Sequence, residues 1–113
     1  MNTLGQEAEK VALNYLLQQG LRLISKNYQT KFGEIDLIMQ DDKSIVFIEV
    51  RFRKNNAFGG AIESITPSKQ RKIAKVAEQF LQQYGNQACR FDAIVMDKPD
   101  VQHIQWIKHA FEV

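Results

Sequence analysis

The stretch Gly33-Glu34-Ile35-Asp36-Leu37-Ile38-Met39-Gln40-Asp41-Asp42-Lys43-Ser44-Ile45-Val46-Phe47-Ile48-Glu49-Val50-Arg51 decides the fold. Two β-branched, apolar runs flank a cluster of turn formers, Asp41 to Ser44, which predicts a β-hairpin with strands at 33–40 and 44–53. A two-residue loop at Asp42 and Lys43 pairs positions whose numbers sum to 85, and a four-residue loop gives the same register. Asp36 then stands opposite Glu49, and Glu34 opposite Arg51. Side chains alternate along a strand, so these four share one face. Ile35, Leu37, Met39, Val46, Ile48, Val50 and Phe52 take the other.

Directly opposed residues have side-chain roots roughly 5 Å apart, and like charges there repel. Ile38 and Phe47, on the same face as the acids, read as core, and a charge beside a core is costly unless it is paired or coordinated. Two remedies are open. A divalent cation such as Mg²⁺ can be held by one or two carboxylates plus water and phosphate; alternatively, Arg51 or Lys31 neutralises an acid, and the pair is an ordinary exposed feature of a strand.

Outward from the hairpin, the chain reads as one domain, 1–113. A helix is predicted over 4–19, capped by Thr3 with Gln6 as its capping-box partner and stopped at Gly20; Ala8, Val11, Ala12, Tyr15 and Leu16 form its apolar stripe. A strand at 22–29 leads into the hairpin. After a loop from Lys54 to Ile65, rich in Asn and Gly, Thr66 caps a second helix with Pro67 in its first turn. Its stripe is Ile73, Val76, Ala77, Phe80, Leu81 and Tyr84, and Gly85 and Asn86 end it. A strand at 89–97 and a short C-terminal strand and helix follow, with Trp106 and Phe111 packing that last helix. Strand, helix, strand implies a parallel crossover beside the antiparallel hairpin. The expected fold class is therefore α/β, a mixed central sheet flanked by helices.

With 113 residues and 44% apolar content, the chain can bury one core. No apolar run approaches the roughly 20 residues of a membrane span, so the expected location is cytoplasmic. Cys89 is the only cysteine, which excludes an internal disulfide and a cysteine-rich zinc cage; it reads as a small buried residue. His103 and His109 lack metal-site spacing and read as surface or edge residues.

The net charge of +2 hides an uneven distribution. Residues 51–75 hold Arg51, Arg53, Lys54, Lys69, Arg71, Lys72 and Lys75 against Glu63 alone. Beside an acidic site, such a patch suits a phosphate backbone, while the plainer alternative is a solvated helix face and a basic loop. Phe58, in the loop, either stacks on a base or packs beneath the loop.

Taken together, Gly33-Glu34-Ile35-Asp36-Leu37-Ile38, Val46-Phe47-Ile48-Glu49-Val50-Arg51, Phe58-Gly59, Lys69 and Arg90-Phe91-Asp92 closely resemble the bacterial YraN-like uncharacterised protein family. That family is similar to the archaeal Holliday junction resolvases and, through them, to the PD-(D/E)xK nuclease superfamily. The resemblance implies a restriction-endonuclease-like fold and a metal-dependent endonuclease acting on DNA, with branched or structured DNA as substrate and a homodimer for symmetric junctions. It implies Asp36 and Glu49 as ligands of Mg²⁺ or Mn²⁺, with Glu9 as a helical acid beside them. Glu9 lies off the apolar stripe of its helix and otherwise reads as a solvated residue.

Position 51 departs from the superfamily pattern, with Arg where Lys is expected. Arginine stays protonated, so it can orient groups or stabilise phosphate charge but cannot serve as a base. Either the cation itself activates water, or Lys69 supplies the missing amine, or the protein binds nucleic acid without cutting it. Arg53, Lys54, Arg71, Lys72 and Lys75 would hold the flanking backbone, and Gln70 contacts phosphate or is a plain helix glutamine. Asp92 reads as a structural partner of a basic side chain.

Overall fold

The computed structural model describes residues 3–53 and 63–112. Lys54, Phe58, Gly59 and most of the predicted loop lie outside the described residues. Helix α1 spans Leu4–Gln18; the Thr3 hydroxyl accepts from the Gln6 amide at 3.1 Å, and Gln6 Oε1 accepts from the Thr3 amide at 2.9 Å. These reciprocal bonds satisfy two amides that a helix start leaves unpaired. The second helix, α2, spans Pro67–Tyr84, with Thr66 as its cap.

Five strands form one sheet in the order β1 (Arg22–Thr30), β2 (Gly33–Asp41), β3 (Ser44–Phe52), β4 (Cys89–Met96) and β5 (Ile104–Phe111). Neighbours are antiparallel except β3 and β4, which run parallel and are joined through α2. The fold class is thus the mixed α/β arrangement that the sequence predicts. The hairpin register runs from Asp41↔Ser44 to Leu37↔Ile48, as read from the turn, with Asp42 at a φ of 54° in the bend. Asp tolerates that left-handed geometry better than most residues.

The helices cover opposite faces. Ala8, Ala12 and Leu16 of α1 pack on Leu37, Met39, Val46, Ile48, Ile94 and Met96. Ile73, Val76, Ala77 and Phe80 of α2 pack on Ile35, Ile38, Ile45, Phe47 and Ala93. Each fully buried Ile, Leu or Phe contributes ~1.5–3 kcal/mol, so these two layers hold the sheet rigid beneath the site. No described helix is long and apolar enough to cross a membrane.

Three expectations need correction. Ile35 lies on the α2 face, with Ile38 rather than with Leu37. Two residues three apart can share a face only if the alternation slips, and it slips at Asp36, where the β1–β2 ladder skips from Lys26↔Leu37 to Tyr28↔Ile35. The C-terminal segment holds a short 3₁₀ turn, Val101–His103, and then strand β5; a strand was expected there, but the helix expected after it is absent among the described residues. The spacing of Ile104, Ile107 and Phe111 mimics a helical period, but β4 has an open edge, and its unpaired amides and carbonyls are satisfied by a strand. Cys89, at the start of β4, is exposed rather than buried.

Candidate functional site

The β2–β3 ladder ends at Leu37↔Ile48, one pair short of Asp36 and Glu49. Beyond it the strands fork. On the β3 side the backbone stays fixed, because Glu49 and Arg51 remain in register with Ala93 and Val95 of β4. On the β2 side, Asp36 Oδ2 accepts the Val50 backbone N–H at 2.8 Å. A carboxylate thus takes the place that a β2 carbonyl would hold in a continued ladder, and it ties the two arms of the fork together.

The β1 side supplies a second irregularity. Asn27 adopts a φ of 53°, and no Asn27–Asp36 pair is present in the ladder. With its amide nitrogen turned inward, Asn27 donates to Glu9 Oε1 at 2.9 Å and to Glu34 Oε1 at 3.2 Å. It therefore links the helical acid of α1 to the acid at the start of β2.

Four acids gather here, and all four titrate above their ordinary range. Burial is the leading cause for each. Glu9 and Glu34 are also raised by the Asp36 charge. For Asp36 the Val50 amide and Arg51 oppose the rise. Glu49 is pushed up to about 8 by burial and then by Asp36, with Arg51 working against both. Desolvation disfavours the ionised form, and a neighbouring carboxylate adds to the penalty.

Arg51 compensates only weakly. Its Nη2 stands 3.8 Å from Glu49 Oε2, too long for a hydrogen bond. Among the described residues, Glu49 Oε1 and Arg51 Nε are both buried without a hydrogen-bond partner. Buried polar atoms are almost always paired, so these two atoms stand out from the rest of the sheet. A cavity of about 230 Å³ opens at this point, lined by Gly33, Glu34, Glu49, Arg51, Lys69, Lys72 and Ile73.

Of the basic residues predicted to serve the site, Lys69 and Lys72 thus reach the same cavity as Glu49 and Arg51. Lys75 turns instead to the ring of Phe32. Arg71 is exposed on α2. Arg53 is exposed, and its Nη1 donates to the Phe52 carbonyl at 2.8 Å. The Gln70 side-chain Nε2 donates to the Ile65 carbonyl at 3.0 Å and so braces the entry to α2. Among the described residues, no three His, Cys, Asp or Glu side chains converge closely enough to ligate one ion. Glu9 is close enough to feel the Asp36 charge, yet Asn27 holds its carboxylate.

Sequence reasoning missed Asn27, whose signal was a turn-forming residue in the middle of a strand, and it read Glu34 only as a partner of Arg51. It also missed the Val50 amide, which no side-chain pattern can reveal. Asp92 is the structural residue it was read to be, fully buried and bonded to Arg90, Trp106 and the His109 amide.

Fold and site together define a class: a mixed α/β domain whose central hairpin forks around two buried carboxylates, with lysines of the crossover helix across the cavity. The chain belongs to the Uncharacterised protein family UPF0102, whose model matches residues 8–96 and so includes every residue of the fork. It is similar to the UPF0102 protein of Methylobacillus flagellatus, with 50% identity over 98% of both chains. It is also similar to the UPF0102 protein of Psychromonas ingrahamii, with 53% identity over 98% of this chain and 91% of the relative. The UPF0102 protein of Nitrosococcus oceani is 46% identical, over 96% and 91%.

Proposed function

We propose that this protein is a divalent-metal-dependent endonuclease that hydrolyses phosphodiester bonds in DNA, with branched or otherwise structured DNA as its substrate. The observation that carries the reading is the weakly compensated pair Asp36 and Glu49, two carboxyls buried at a fork with Glu49 Oε1 left without a partner among the described residues. Two carboxylates that cannot both ionise comfortably lose that penalty when a dication lies between them. The donor set is all oxygen, which suits Mg²⁺ or Mn²⁺ and leaves sites for water and phosphate. Bound there, the cation would supply a water of lowered pKa and positive charge at the scissile phosphate.

The remaining work falls to the chain itself. Arg51, fixed by β4 and always protonated, orients the scissile phosphate and stabilises its developing charge. Lys69 and Lys72, which line the same cavity, add positive charge there, and in this reading Lys69 stands in for the lysine that position 51 lacks. Glu9 and Glu34, joined by Asn27, keep the field at the fork negative and favour the dication over a lone phosphate. Arg53, Arg71 and Lys75 remain for the flanking backbone. Paired cuts on a symmetric junction would call for two copies of the chain.

Arg51 also supports a second reading, a nucleic-acid-binding module with the same fold and no chemistry, since no base is supplied at that position. Labelled linear, flap and four-way-junction DNA incubated with Mg²⁺, Mn²⁺ or EDTA separates the two. The enzyme gives metal-dependent cleavage that falls at least a hundredfold in Asp36→Ala and Glu49→Ala, on the scale of ~10²–10³ for loss of a single charge-stabilising group. Binding without cleavage on every substrate would favour the module.

A further inference from the structure

Phe32 lies at the tip of the β1–β2 turn, 37% exposed and in neither apolar cluster. Its backbone is fixed: the Phe32 amide donates to Thr30 Oγ1 at 3.0 Å, and Gly33 follows with a φ of 144° that a side chain would strain. Two ammonium groups stand over its ring, Lys31 Nζ at 5.2 Å and Lys75 Nζ at 5.5 Å from the centroid. Phe32 thus keeps more than a third of its surface in water, and a pair of lysines gathered at one ring repel each other. Such an arrangement becomes favourable when a planar group stacks on the ring and an anion lies between the amines.

The surroundings extend it into a site. A second cavity, of about 480 Å³, is lined by Lys31, Phe32, Lys75, Gln79, Gln82 and Gln83, with Glu78 as its one acid. It adjoins the carboxylate cavity twice over: Gly33, next in chain to Phe32, lines the latter, and Lys69 and Lys72 precede Lys75 on the same helix. From Lys72 to Gln79 the helix rises ~10 Å, so the two cavities are consecutive stations along α2.

We propose that Phe32, with Lys31 and Lys75, forms a nucleobase-stacking site for an unpaired base of the strand whose phosphate lies at Asp36 and Glu49. The proposal rests on the nuclease reading and adds its substrate class: DNA with single-stranded or splayed character at the cut, rather than continuous duplex. A base within a duplex has both faces covered, whereas an unpaired base offers a face to the ring, and the lysines hold its flanking phosphates. The glutamines of α2 offer neutral donors and acceptors, which suits contact without a fixed sequence.

The test is binding in EDTA, with no cleavage involved. Fluorescein-labelled oligothymidylate is compared with an abasic strand of equal length and a blunt duplex. The native chain should bind oligothymidylate about tenfold more tightly than the abasic strand, the size of one stacked base. Phe32→Leu, at an exposed turn, should abolish that preference. Phe32→Trp should keep it, and oligothymidylate should quench its emission beyond anything Trp106 shows in the native chain. An equal preference in Phe32→Leu, or none in the native chain, overturns the proposal alone. If no DNA of any form binds, the nuclease reading falls with it. Preference dependent on Phe32 without cleavage in Mn²⁺ removes the hydrolytic reading and leaves this site standing.

Discussion

Two interruptions of the sheet invite comparison, because each is filled by a buried aspartate that accepts a backbone N–H. At the β4–β5 irregularity, Asp92 Oδ1 takes the His109 amide at 3.0 Å, with His109 at a φ of 52°. At the β2–β3 fork, Asp36 Oδ2 takes the Val50 amide at 2.8 Å. The companions differ. Asp92 also receives Arg90 Nε on both oxygens at 3.1 Å and Trp106 Nε1 at 2.9 Å, while Arg90 reaches on to Asp41 at 2.9 Å. Asp36 faces another carboxyl. One buried charge is fully met by protein donors; the other is left in deficit with a second acid and a loosely placed arginine. The same kind of backbone defect is therefore fully met by donors at one aspartate and left in deficit at the other, and the proposed metal site rests on that difference.

The largest expected effect lies on the sealed side. Asp92→Ala strips partners from Arg90, from the Trp106 indole and from the His109 amide at once. Loss of one member of a buried ion pair costs about 3–5 kcal/mol, so the variant should lose that much in denaturant unfolding, or fail to fold near ambient temperature. Asp36→Ala removes a carboxyl already in deficit but also the acceptor of the Val50 amide, so it should cost no more than about 1–3 kcal/mol, the penalty of one unpaired donor. Equal destabilisation by the two changes would erase the contrast.

Proton linkage gives the next largest signal. Glu49 titrates near 8 in the folded chain against an ordinary 4.5. The native state therefore holds a proton that the unfolded chain gives up, and stability falls as pH rises from about 4.5 towards 8, then levels off. The loss amounts to roughly a few kcal/mol. Measured in EDTA as the difference from Glu49→Gln, this slope should vanish in the variant; a slope of opposite sign, or one that survives the substitution, would contradict the electrostatics of the fork.

Metal should act in the reverse sense. At a concentration a hundredfold above its dissociation constant, Mn²⁺ would raise stability by about 2.7 kcal/mol. The gain should grow with pH as the cation displaces the Glu49 proton. Calorimetry should show no such gain in Asp36→Ala, and Asp92→Asn, if folded, should retain it.

The hairpin register, both helix caps and the apolar stripes were legible because each depends on residues adjacent in sequence or at a fixed period. Numbering that sums to 85 holds from Asp41↔Ser44 to Leu37↔Ile48 and stops one pair short of Asp36 and Glu49. The fork was not legible, since pairing stops where side-chain demands override the ladder, and that balance involves β1, α1 and β4 together. Ile35 was assigned to the wrong face for the same reason. A short C-terminal strand was expected, but its full length over Ile104–Phe111 was hidden behind an expected helix, because a satisfied edge is a need of β4. Glu49 and Arg51 were readable as neighbours, but their failure to pair closely is a matter of tenths of an ångström.

The smallest effect concerns Asn27, the residue that makes the fork possible on the β1 side. Its φ of 53° costs most side chains ~1–2 kcal/mol, and its amide reaches Glu9 and Glu34. Two substitutions separate these roles. Asn27→Gly keeps the conformation without strain and removes the amide; Asn27→Ala removes the amide and adds the strain. If the bend positions the acids, Asn27→Ala should be about 1 kcal/mol less stable than Asn27→Gly in chemical unfolding. If the amide governs their charge, both variants should weaken Mn²⁺ binding alike, because Glu9 and Glu34 then lose the donor that holds them together beside Asp36. A glycine variant that binds Mn²⁺ as the native chain does would assign Asn27 to backbone geometry alone.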